Sequence, residues 1–496
     1  MWKKLLSLLK GKTVESKKEV VLVNKLKPTD LRNSLLKSTE REVSIEQKAD
    51  LEPMFSKLFE DEYAFLSFAQ GELRKGRLLV SQSKFSEARD VLKPLVVIVK
   101  HSLIANYESE RREKLLDIVE GSTIVAHTYI KEGNYSSAYK ILEDAQHYAE
   151  DLTLLASNLK GTLTLIIQMY CMYLKCCHKL GEDGGKIAIR GKTESIIAIL
   201  SSCISKSSIS DKIQIIERIC DYIDELVAIK AYEDACSIYS QVLSTLKWEE
   251  LNDYSLKHSY AILYGRYVGS LLNSNQDDTK NCIGSCLKEV DMYKKLLEEK
   301  DDAQAKMDLA IAYSHLAECY SLILEWKNFV TSHVSKIILL TDAIKGNISH
   351  EDDVYDNKRL SESIIISLKN CINKFGEVTS KNVNYYKEIF NVIKNINQYY
   401  LENSELLAYI NLIAGELFKY YNEKNLIIAQ ECLITRFTSL LYLLDYYGAE
   451  KDIAKDFAET ITYAQPFIIK NGKTISDDLK VLWINSFSKA KEIFNL

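Results

Sequence analysis

Residues 126–145 constrain the fold more than any other stretch: Ala-His-Thr-Tyr-Ile-Lys-Glu-Gly-Asn-Tyr-Ser-Ser-Ala-Tyr-Lys-Ile-Leu-Glu-Asp-Ala. Apolar and small residues recur at helical spacing on both sides of one break at Gly133–Asn134, which reads as helix, tight turn, helix. Ala126, Ala138 and Ala145 let two helices approach closely, and Tyr129, Tyr135 and Leu142 fill the gaps between them. A chain can repeat this device only if little interrupts its helices. Pro supplies 4 and Gly 18 of the 496 residues, well below the usual ~5% and ~7%. Both disfavour helix interiors. From about residue 56 the pattern stays helical to the end.

The small residue after each break serves as a marker. Ala88, Ala138, Ala235 and the bulkier Phe329 hold that position, with Phe85, Tyr135, Tyr232 and Trp326 three residues earlier. Nine residues before the marker stand Leu79, Tyr129, Leu226 and Tyr320; twelve before it stand Gly76, Ala126, Ile223 and Ala317. These positions resemble a tetratricopeptide repeat, most completely around 119–152, then around 69–102, 216–249 and 310–343. The early Trp and the closing Pro of that family are absent; Glu72 and Ser122 stand where the Trp would be. The markers lie 50, 97 and 94 residues apart, so each unit is longer than the ~34 residues of the family. Two unmatched hairpins are expected near 160–200 and 255–300, and another near 405–445. One hairpin cannot bury both its apolar faces; stacking completes each against the next.

The resemblance implies an all-α fold: a right-handed superhelical solenoid of tetratricopeptide-like hairpins with elongated helices, eight or nine hairpins in number if the spacing of roughly 48 persists. Residues 1–55 read as a basic amphipathic helix on a partly flexible lead, 56–345 as the repeats, and 346–496 as degenerate C-terminal helical repeats.

Composition excludes several function classes. Net charge is −5, with 64 basic and 69 acidic side chains, which gives no global attraction to nucleic acid. Residues 1–27 differ: eight Lys and two Glu make them +6 and leave the remainder at −11. Eleven Cys are scattered through apolar helical patterns, so free thiols in a reducing compartment, the cytoplasm, are expected rather than a disulfide framework. No apolar run reaches the ~18 residues of a membrane span, and Leu5–Leu9 is shorter than a secretory core of ~7–15 residues.

No motif for catalysis survives inspection. Gly185–Thr193 has five residues between its glycines and no preceding strand, unlike a phosphate loop. Cys171, Cys176, Cys177 and His178 point apart on one helix, and Cys282 with Cys286 makes only two ligands. The eight His form no HExxH cluster, and no Gly-x-Ser-x-Gly elbow occurs. The expectation is a protein that is not an enzyme and uses no cofactor or metal.

The resemblance implies binding instead, with the first helix of each hairpin lining a concave groove. The inward positions it implies are Leu73, Arg77, Thr123, His127, Lys131, Cys220, Asp224, Ser314 and Glu318. Thr123 and His127 do not reproduce the Lys, Asn and Arg of the family's carboxylate clamp, which favours a longer peptide or a protein surface. The expected function is a protein–protein interaction scaffold or adaptor; the alternatives are a peptide-responsive regulator and, less favoured, an enzyme on a helical-repeat scaffold. Trp2, Leu5, Leu6 and Leu9 share one helical face, with Lys3 and Lys4 largely off it. Two readings of this helix stand: weak peripheral contact with a membrane interface, or a cap or docking element for a partner groove.

Overall fold

The computed structural model describes residues 62–104, 110–155, 160–182, 197, 204, 207–274, 279–349, 357–394, 396 and 403–494. The N-terminal helix with Trp2, Lys3, Lys4, Leu5, Leu6 and Leu9, the Gly185–Thr193 loop and Cys203 lie outside them. Among the described residues there are 17 α-helices and no strand. They group into two compact units, Met1–Ser259 and Tyr260–Leu496.

The first unit holds α1 (Glu62–Ser81), α2 (Phe85–Ile104), α3 (Arg111–Lys131), α4 (Tyr135–Leu155), α5 (Lys160–Leu180), α6 (Ile209–Ala228) and α7 (Tyr232–Thr245). Each packs on the next, and α3 packs in addition on α1 and on α5. Helices α1 to α5 run 20 or 21 residues, about 30 Å at 1.5 Å per residue. Helix α8 (Tyr254–Ser274) leads into the second unit. That unit continues with α9 (Thr279–Glu299), α10 (Ala303–Leu322), α11 (Trp326–Ser349), α12 (Asn357–Phe375), α13 (Val383–Ile393), α14 (Ser404–Tyr421), α15 (Leu426–Tyr447), α16 (Lys451–Asn471) and α17 (Asp477–Phe494). Here α10–α11 and α14–α15 are tightly packed pairs, α12 and α13 bridge between them, and α15 also holds α16 and α17. Each unit is thus the helical-repeat stack of hairpins that the sequence predicts. Helices also occupy the stretches where unmatched hairpins were expected: α5 near 160, α8 and α9 over 254–299, and α14 and α15 over 404–447.

One turn closes all four marked hairpins. Five residues before each marker stand Ser83, Gly133, Lys230 and Leu324, with φ of 58°, 74°, 61° and 61°. A left-handed residue after a helix lets its own amide and the next one fold back onto the last carbonyls of that helix. Lys84, Asn134, Ala231 and Glu325 donate their amides to the carbonyls of Leu79, Tyr129, Leu226 and Tyr320 at 2.8–3.0 Å. The marker amide then makes the first long bond of the second helix, as in Ala88 to the Lys84 carbonyl at 3.0 Å. Gly133 suits the left-handed position; Ser83, Lys230 and Leu324 adopt it at a steric cost.

The small positions are small because a neighbour occupies their space. A Cβ on Gly76 would lie 2.5 Å from Leu92 Cδ2, so this position of α1 admits α2 only without a side chain. Ala88, Ala126, Ala138, Ala235 and Ala317 are fully buried. Around them lie Leu92, Leu95, Leu142 and Leu226, all fully buried, each worth about 1.5–3 kcal/mol of transfer free energy. Side chains of Ser208, Asp302, Asn403 and Asn425 cap α6, α10, α14 and α15, at about 1 kcal/mol each.

The second unit buries a charged pair. Glu289 on α9 is 1% exposed, and both its oxygens lie 3.0 Å from Nδ1 of His315 on α10. On α8, a Cβ at Gly265 would stand 2.7 Å from Glu289 Oε1, so a side chain there would have to push the carboxylate aside. Burial disfavours a charged imidazole at His315; Glu289, helped by Glu318, more than offsets it and raises the pKa, while Lys336 works against it. Helix α15 is the one described helix long and apolar enough to cross a membrane. It packs on α14, α16 and α17, and 61% of its most apolar stretch is buried in the protein; an all-round apolar helix is also what a core position requires.

No disulfide forms among the described cysteines, and all but Cys171 and Cys236 are buried. Burial pushes the thiols of Cys171, Cys176 and Cys371 up to about 12, so they behave as small apolar groups. Among the described residues no group of three or more His, Cys, Asp or Glu is arranged to hold a metal ion.

Candidate functional site

Because α3 contacts both α1 and α5, these three helices bring one face each to a common groove in the first unit. The groove contains a cavity of about 350 Å³ lined among others by Arg77, Glu120, Thr123, His127, Gln168 and Met172. Arg77 on α1 forms an ion pair with Glu120 on α3, which ties one end of the wall. Thr123 is buried and donates its hydroxyl to the Val119 carbonyl at 2.6 Å. His127 is half-buried. Burial, then Lys131 one turn on, then Lys175 from α5, hold its imidazole below the usual range. Lys175 reaches Glu225 of α6 at 3.5 Å, and the Cys171 thiol donates to the Asp221 carbonyl at 3.5 Å. The lining combines apolar side chains such as Ile124, Leu165 and Met172 with a few directed polar groups, the composition typical of a ligand pocket.

Of the residues expected to line a groove, Arg77, Thr123 and His127 share this cavity. Lys131 is exposed at the end of α3. Leu73 belongs to the core of the first unit, 2% exposed. On α6, Cys220 is buried at 3% and Asp224 is exposed. Ser314 and Glu318 sit on α10 in the second unit, Ser314 donating its hydroxyl to the Ala310 carbonyl at 3.1 Å and Glu318 exposed.

Sequence reasoning missed Glu120, Gln168, Met172 and Lys175. The last three lie on α5, whose hairpin carries no marker to set its register. It also missed Asp117, 3% exposed with Oδ2 unpartnered. Burial first, then Glu120 and Glu113, push its carboxyl up to about 7, with Arg77 opposing. The available signal was an acid inside the apolar run Leu115-Leu116-Asp117-Ile118-Val119.

No family model matches the sequence, and no curated protein matches it. Solved structures do. The apo form of RapI is 10% identical with a TM-score of 0.36, over 86% of this chain and 99% of that one. A circular tandem repeat protein with a novel repeat topology is 10% identical with a TM-score of 0.28, over 87% of this chain and 97% of its own. A signal transduction ATPase with numerous domains and a tetratricopeptide repeat sensor, from Pyrococcus horikoshii, is 13% identical with a TM-score of 0.21, over 97% of this chain and 74% of its own.

Proposed function

We propose that this chain is a non-catalytic interaction scaffold or adaptor, whose first unit holds a protein or peptide partner in the groove of α1, α3 and α5. The observation that carries this reading is the 350 Å³ cavity, which gathers side chains from three helices of successive hairpins and mixes apolar wall with Arg77, His127 and Gln168. A peptide laid there would cross several hairpins at once, so affinity would come from contact area and specificity from the few polar groups. The proposal includes residence in the cytoplasm and, for the segment with Trp2, Leu5, Leu6 and Leu9, weak membrane contact or partner docking. Liposome flotation with and without residues 1–18 separates those two.

The test of the groove is site-specific photo-crosslinking in native extract. A photoreactive residue at Gln168 should capture a partner that the same residue at Leu154, 81% exposed, does not. His127→Glu with Lys131→Glu should abolish that capture while circular dichroism stays unchanged. Equal capture from both positions, or none lost in the charge variants, would sink the groove reading.

A further inference from the structure

We propose that the groove selects a partner segment by an acidic side chain, seated beside His127 between Lys131 and Lys175. This rests on the groove reading above and adds the chemistry of the partner. Two of the charged pairs along the groove already satisfy themselves: Arg77 with Glu120, and Lys175 with Glu225. What is left over beside His127 is cationic, Lys131 and Lys175 being the charges that act on it, while Asp221 and Asp224 of α6 act further along, at Cys171. Lys131 is exposed and has no ion-pair partner among the described residues, and His127 makes no hydrogen bond there. Residues four apart on a helix are neighbours, so both present to one spot on α3.

The charged groups facing His127 are Arg77 from α1, Glu120 and Lys131 from α3, and Lys175 from α5 with Glu225 of α6 behind it. The carboxylates among them are engaged with Arg77 and Lys175. An incoming carboxylate would therefore meet donors without displacing an existing pair. It would also oppose what keeps the imidazole neutral. Burial first, then two ammonium groups, disfavour the charged ring; a carboxylate beside it favours that ring. Binding and uptake of a proton on His127 are then linked, and affinity rises as pH falls. The apolar wall of Ile124, Leu165 and Met172 suits the flanking residues of a peptide better than a run of phosphates.

Random peptides displayed on phage, panned on the full chain, supply the probes. Enriched peptides should share an Asp or Glu whose exchange for the amide weakens binding about tenfold or more, the worth of one charge-assisted hydrogen bond. Against Lys131→Ala or His127→Gln the same exchange should change affinity less than about twofold, and Lys131→Glu should enrich basic peptides instead. Affinity for the wild type should tighten between about pH 8 and about pH 6, and not for His127→Gln. Peptides that crosslink to Gln168 but ignore the acid-to-amide exchange would overturn the acidic selection and leave the groove standing. Peptides that crosslink elsewhere, and are untouched by His127→Glu, would overturn the groove itself, as would a library that yields no binder.

Discussion

Asp117 sets up a stability test that needs no binding partner. Its carboxyl is 3% exposed, one oxygen lacks any partner, and its pKa stands near 7 instead of the ordinary 3.8. Below the ordinary value both folded and unfolded chains carry the proton, and Asp117 contributes nothing to pH dependence. As pH rises towards 7 the unfolded chain releases the proton while the folded chain keeps it, so folding is progressively disfavoured. Above 7 the full cost is present: about three pH steps at ~1.4 kcal/mol each, a ceiling of about 4 kcal/mol. Asp117→Asn keeps the shape and removes the charge. The variant should be more stable than wild type at about pH 8 by about 2–4 kcal/mol, and equal to it at about pH 4. In melting temperature that is a gain of roughly 5–15 °C for a unit of this size. Urea unfolding followed by Trp248, which is buried in the first unit, measures it. Loss of stability at pH 8 larger than at pH 4 would refute the reasoning, since Asp117 would then be a favourable ion.

Three further outcomes are expected. Leu324→Gly should stabilise the second unit by about 0.5–1 kcal/mol in calorimetry, because Leu324 is left-handed and 65% exposed and so gives up steric cost and little burial. His315→Ala should cost about 3–5 kcal/mol by stranding the buried Glu289, whereas Leu at both positions should recover most of it; equal losses in both would deny that the pair is what matters. Since the folded pKa of His315 is raised, its contribution is complete below the ordinary 6.5 and fades as pH rises through the raised value, which the same calorimetry followed against pH should reveal in wild type and not in His315→Ala.

The hairpins were legible because their turns impose local rules that a single residue type can betray. Gly133 with Ala138 signals one turn directly, and the aligned positions transfer to Leu324 and Phe329, where neither residue is small. Scarcity of Pro argued for long helices, yet Pro94 and Pro466 lie inside α2 and α16; packing on both flanks outweighs one lost backbone bond. The groove was only half legible. The rotation of α3 was fixed by its marker, so Thr123 and His127 could be named, whereas α5 had no marker and its Gln168 and Met172 had no assigned face. Leu73 and Cys220 show the other gap: whether a residue on the groove-side helix shows its side chain or tucks it between helices depends on a tilt that periodicity does not encode. The Glu289–His315 contact spans 26 residues and two helices, and nothing local announces it.

The shared closure at Ser83 and Gly133 has a consequence for anyone cutting the chain. Both points sit at the same step of the same bend, 50 residues apart. Excising residues 84–133 would splice Ser83 onto Asn134, leaving a left-handed residue followed by the start of a helix, as before. The joints are seams along which whole hairpins can be removed or inserted, and the damage would fall on the faces brought together rather than on the bend that joins them.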